Sequence, residues 1–139
     1  MPRIGLIFLG LASLCLLGGV AMGMYMGMAH DFQLAPVHAH LNLLGWASLA
    51  LFGLAYCAVP RLAEGWLPKL HLLLSGVSAP LFPLGIYLAI FRDNSRLVQI
   101  TAPMWFLGAL LFSIIVWRAA LRRAPEAGEA AAAQITRLS

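Results

Sequence analysis

Residues 36–62 read PVHAHLNLLGWASLALFGLAYCAVPRL. Between Val37 and Val59 this stretch contains no Asp, Glu, Lys or Arg. A helix needs about 20 apolar residues to cross roughly 30 Å of hydrocarbon, and this run meets that length. Prolines bracket it, at Pro36 and Pro60. Pro36 suits a first helical turn, where the missing N–H leaves nothing unpaired.

Three further runs of the same kind lie on either side, about Ile4 to Met26, Leu67 to Phe91 and Val98 to Trp117. The whole chain has 139 residues, 62% hydrophobic and only 10% charged. Soluble domains carry about 25% charged residues, so the composition points to lipid as the solvent. Backbone polar groups find no water partner in hydrocarbon, and runs this long are therefore expected to be helical. The expectation is an all-α, four-transmembrane-helix protein whose short connections make sequential helices antiparallel neighbours. Residues 1–120 form the membrane domain in this reading, and residues 121–139 a C-terminal tail.

The run after Arg3 exceeds the length of a signal-peptide core and ends without a small-residue cleavage site, so it reads as a span. Cys15 and Cys57 both fall within apolar runs and read as small packing residues. The net charge of +4 is spread over the ends of the runs, which argues against nucleic acid as a partner. With both termini in the cytoplasm, Arg3, Arg61, Lys69, Arg118, Arg122, Arg123 and Arg137 lie inside and only Arg92 and Arg96 outside. The opposite orientation violates the positive-inside bias. A multi-pass protein of a bacterial inner membrane is expected, with segments 30–36 and 92–97 facing the periplasm.

Polar titratable groups within membrane spans are costly and point to function. Of the four histidines, His38 and His40 stand about one turn into the second helix. Helical residues turn by about 100° each, so these two side chains point about 200° apart. They cannot chelate one ion together, but they can serve two sites on opposite sides of one helix. Imidazole is a common axial ligand of heme iron. Gly45 lies two turns below His38 and Ala47 two turns below His40, which would let a flat ring approach. Trp46 and Phe52 offer aromatic walls, and Asn42 joins the candidate binding residues. The plain alternative is a pair of interfacial histidines bonded to water or headgroups. His71, beside Lys69 at the inner end, lies about 30 Å in depth from His40 and is expected to be interfacial or structural. His30, beside Asp31, is expected to be solvated.

HAHLNLLGWASLALFGLAYCAVPRL resembles the tenth helix of the catalytic subunit of heme-copper oxidases, closest to the C-type. The H-x-H pair, the G-W pair and the terminal P-R-L carry the likeness, and a family H-F-W stands here as His71, Leu72 and Leu73. The resemblance covers roughly Pro36 to Arg92. It implies that the two histidines bind two hemes on opposite faces of the helix. It also implies one four-helix arc of a family architecture that has three. The family's copper ligands have no counterpart here, so a complete oxidase is not expected. A homotrimer could rebuild the ring, with His38 of one subunit and His40 of the next holding each heme b. A homodimer, with the same histidine from each chain, is the rival. Arg92 and Arg96 would pair with the propionates.

The leading expectation is therefore a bis-histidine membrane cytochrome b that transfers electrons, with a quinol or a cytochrome as redox partner. A gas-binding heme protein, with one ligating histidine, is a second possibility. A cofactor-free accessory or assembly subunit of a respiratory complex is a third. Hydrolase chemistry lacks support, since Asp31, Glu64 and Asp93 lie in loops and the serines have no adjacent base. A proton pump would want buried carboxylates, which the spans lack. Pro80 and Pro83 are expected to kink the third helix or open a wide turn in it.

Overall fold

A computed structural model of the chain describes residues 3–121. The tail from 122 onward, with Arg122, Arg123 and Arg137, lies outside the described residues. Among the described residues, four helices are long and apolar enough to cross a membrane: α1 (Arg3–Ala29), α2 (Ala35–Ala58), α3 (Leu67–Arg92) and α4 (Arg96–Leu121). A short 3₁₀ turn, Pro60–Ala63, follows α2. No strand is present among the described residues.

The molecule is turned inside out relative to a water-soluble bundle. Leu14, Leu17, Leu51, Phe106 and Trp117 are each about two-thirds exposed, while His71, Ser75 and Ser78 are fully buried. Soluble proteins show the reverse trend. An apolar exterior over four long helices fits a multi-pass membrane protein.

Close contact between helices runs through small residues. On α1, Gly5 sits against Gly53 and Cys57 of α2, Gly19 against Asn42 and Gly23 against His38. On the other pair, Gly85 of α3 meets the backbone of Val98, and Gly108 of α4 meets Ser75. Where burial in water gives no driving force between helices, such close approach recovers dispersion contacts.

Two helix ends close alike. His30 and Asp93 take left-handed φ values of 50° and 47°. Beyond them, Asp31 N–H donates to Met26 O and Asn94 N–H to Leu88 O. These bonds satisfy carbonyls that a helix end leaves open.

The prolines of α3 do not divide it. One helix runs through Pro80 and Pro83 from Leu67 to Arg92, with the Ser78 hydroxyl donating to Leu74 O at 2.6 Å. The wide turn expected there lies instead in α2, where Leu41–Ser48 adopts π-helical bonding between residues five apart. The Ser48 hydroxyl follows the same spacing and donates to Leu43 O at 2.8 Å.

Candidate functional site

The H-x-H pair enters the bundle on the first turn of α2, just before the wide segment. Ala35–His40 is regular α-helix with Pro36 in its first turn. The π-helical stretch begins at Leu41, directly after His40. Such wide turns are rare and occur often at functional sites.

His38 turns toward α1. Its Nδ1–H donates to Gly19 O at 3.0 Å. A Cβ at Gly23 would stand 3.0 Å from His38 Cε1, so the ring rests on a glycine that makes room for it. Asn42 completes the seat: its amide donates to His38 O at 2.8 Å and packs into the space left by Gly19.

His40 turns the other way. Its Nδ1–H donates to Pro36 O, one turn back, at 2.8 Å. Its ring packs on Phe82 of α3, with centroids 5.3 Å apart and planes inclined at 58°. Both histidines thus spend Nδ1 on a backbone carbonyl, and among the described residues Nε2 of neither makes a hydrogen bond. Both are half-buried.

This pattern has chemical meaning. A ligating histidine commonly donates its second ring nitrogen to a carbonyl, which fixes the tautomer and the ring's orientation. Each imidazole here is oriented in that manner by its own chain.

The other expected site residues are placed less compactly. Gly45 shares the face of His38, but α1 already fills it: a Cβ there would stand 2.8 Å from Cys15 Sγ. The glycine serves helix packing and leaves no slot for a ring at that point. Trp46 is 41% exposed and faces outward. Phe52 is no wall of the histidine region; it packs within the core against His71, Trp105 and Phe112. Arg92 and Arg96 are exposed, at the last residue of α3 and the first of α4. Ten residues separate Arg92 from Phe82, a rise of about 15 Å along the helix.

His71 is not at the surface of the bundle. It is fully buried, with Tyr56 Oη 2.8 Å from its Nδ1. Phe8 of α1, Phe52 of α2 and Phe112 of α4 surround its ring, at centroid distances of 4.8, 4.7 and 5.4 Å. All four helices therefore meet around this imidazole. Among the described residues, its Nε2 and the neighbouring Ser75 Oγ are buried without a hydrogen-bond partner. Sequence reasoning missed Tyr56. The signal was available: Tyr56 and His71 each lie about one turn from the same 59–66 connection, which puts them at one depth.

Among the described residues, no group of three or more His, Cys, Asp or Glu side chains converges to hold a metal ion. No family model, curated protein or solved structure matches this chain.

Proposed function

We propose that the protein is a bis-histidine b-type membrane cytochrome that carries electrons. One observation bears most of the weight. His38 and His40 diverge from one helix, each with Nδ1 tied to a carbonyl at 3.0 and 2.8 Å and Nε2 left open. That donor set suits heme iron, which takes neutral imidazole nitrogen as an axial ligand. The half-buried position of both rings permits approach from outside the chain.

Because the rings face opposite sides, no single heme takes both from one subunit. Each heme would lie between chains, with His38 of one and His40 of its neighbour. A closed ring of such interfaces is heterologous, and three copies would rebuild an oxidase-like set of arcs. A two-fold dimer is the rival assembly. In this proposal both termini are cytoplasmic, and the His30 end, with its hemes, faces the periplasm. The protein supplies ligand identity and burial, which set the potential, and the heme supplies one-electron chemistry. Two axial imidazoles leave no place for substrate, so the role is a carrier between a quinol or cytochrome and a further acceptor.

The test is the spectrum of the purified protein from heme-replete cells. A narrow reduced α-band, unaltered by carbon monoxide and lost on His38→Ala or His40→Ala, supports the proposal. A colourless protein ends it. A band that shifts with carbon monoxide transfers the assignment to a gas-binding heme protein.

A further inference from the structure

At the end of the bundle away from His30, a cleft of about 210 Å³ opens between the 3₁₀ turn and the last turns of α4. Two cations from separate elements border it: Arg61 of the 3₁₀ turn and Arg118 of α4. Below them its wall is apolar, formed in part by Leu62 and Ile115, each only 6% exposed. Trp66 stands at its rim, 67% exposed. Among the described residues, Glu64 is the one acidic side chain on the lining.

We propose that this cleft binds the headgroup of an acidic phospholipid, with the glycerol and upper acyl chain on the apolar wall. The chemistry is specific to a molecule with an anionic end and a greasy one. Guanidinium groups from two directions match a phosphodiester, which accepts paired N–H donors. A free phosphate would use the arginines but would gain nothing from Leu62 and Ile115. Tryptophan is enriched at the headgroup level of membranes, where its ring is solvated on one side only. Basic clefts between spans on the cytoplasmic side are a recurrent form of lipid recognition.

Cations scattered at helix ends need no such explanation, since they orient any membrane protein. What separates Arg61 and Arg118 from that background is convergence. They are far apart in sequence and lie on two elements, yet they line one cavity together. Arg3 and Lys69 are basic residues outside that lining. Glu64 tempers the site, so a headgroup carrying one negative charge suits it better than free multivalent anions. The inference depends on the chain spanning a membrane and is independent of any role for His38 and His40.

The experiment counts retained lipid. Protein in detergent micelles is incubated with dioleoylphosphatidylglycerol or dioleoylphosphatidylcholine, and bound lipid is read by native mass spectrometry. One phosphatidylglycerol per chain should be retained in preference to phosphatidylcholine. Each of Arg61→Gln and Arg118→Gln should weaken that preference by about fivefold. Arg3→Gln, which removes a basic residue away from the cleft, should leave it intact. Glu64→Gln, which adds no bulk, should strengthen phosphatidylglycerol retention. Equal retention of the two lipids overturns the proposal, as does a preference that survives the double variant. Displacement of the lipid by millimolar inorganic phosphate also overturns it, because the occupant would then be a free anion. The heme spectrum of the same samples reports separately on the cytochrome proposal.

Discussion

The Tyr56 hydroxyl lies 2.8 Å from His71 Nδ1 at the point where all four helices meet. With the hydroxyl donating, the imidazole proton resides on Nε2. The pair is enclosed by Phe8, Phe52 and Phe112. A polar contact thus occupies the middle of a bundle whose outer surface is apolar. In such surroundings an unpaired group has no water to turn to, and each partner depends on the other.

This dependence predicts strong non-additivity. Tyr56→Phe leaves His71 Nδ1 without its donor and should cost about 1–3 kcal/mol of stability. His71→Phe strands the Tyr56 hydroxyl but also removes the buried Nε2–H that has no partner, and should cost less. The double variant Tyr56→Phe/His71→Phe strands neither and should be less destabilised than the sum of the singles. Unfolding in mild detergent, followed by circular dichroism, measures the cycle. Singles that simply add would mean that the hydrogen bond contributes nothing.

Glycine substitutions should separate contact from exposure along the α1–α2 seam. A Cβ at Gly53 would stand 2.8 Å from Gly5 O and 3.1 Å from Leu9 N, which are backbone atoms and cannot rotate away. Gly53→Ala should therefore push the helices apart and cost about 1–3 kcal/mol. Gly10 has nothing within 4 Å of such a Cβ, so Gly10→Ala should be neutral or stabilising by about 0.5–1 kcal/mol. Paired thermal melts test the contrast. Equal effects at the two positions would refute the seam.

The span pattern could be read from the sequence because it rests on length and apolarity alone. The expected runs and the observed helices differ by only a few residues at each end. The divergence of His38 and His40 was also legible, since they precede the wide segment and regular helical spacing holds there. Three features were not. Nothing in the composition of LNLLGWAS marks it as π-helical. Gly45 has the same composition whether it admits a ring or a helix, and only the position of Cys15 decides between them. His71 was expected to be interfacial or structural, and the sequence did not decide between the two. In the structure Lys69 is exposed and His71 points inward, as two residues of separation on a helix allow.

The seat of His38 predicts a positional effect on heme. Gly23 provides the space under the imidazole, while Gly27, one turn along α1, faces nothing within 4 Å. Gly23→Leu should displace the ring from Gly19 O and reduce heme content sharply. Gly27→Leu should leave heme content unchanged. The ratio of heme absorbance to protein, with helicity checked on the same samples, is the measurement. Retention of full heme by the Gly23→Leu protein would show that the His38 position has no bearing on the cofactor.

The assembly can be decided by complementation between two inactive chains. If each heme lies between His38 of one subunit and His40 of the next, His38→Ala and His40→Ala should each empty every site. If a two-fold dimer holds each heme with the same histidine from both chains, only one of the two variants should be colourless. The distinction sharpens when both variants are co-expressed with different affinity tags and purified through both. An interface between the intact His38 of one chain and the intact His40 of the other is then restored. In a doubly tagged trimer one of the three interfaces, roughly a third, should regain a heme. A two-fold arrangement recovers less than either parent mixture allows, because the mixed pair always lacks one ligand. Partial recovery of the α-band in the doubly tagged fraction, absent from each variant alone, therefore requires a head-to-tail ring. No recovery, with mixed oligomers present, would remove that ring from consideration.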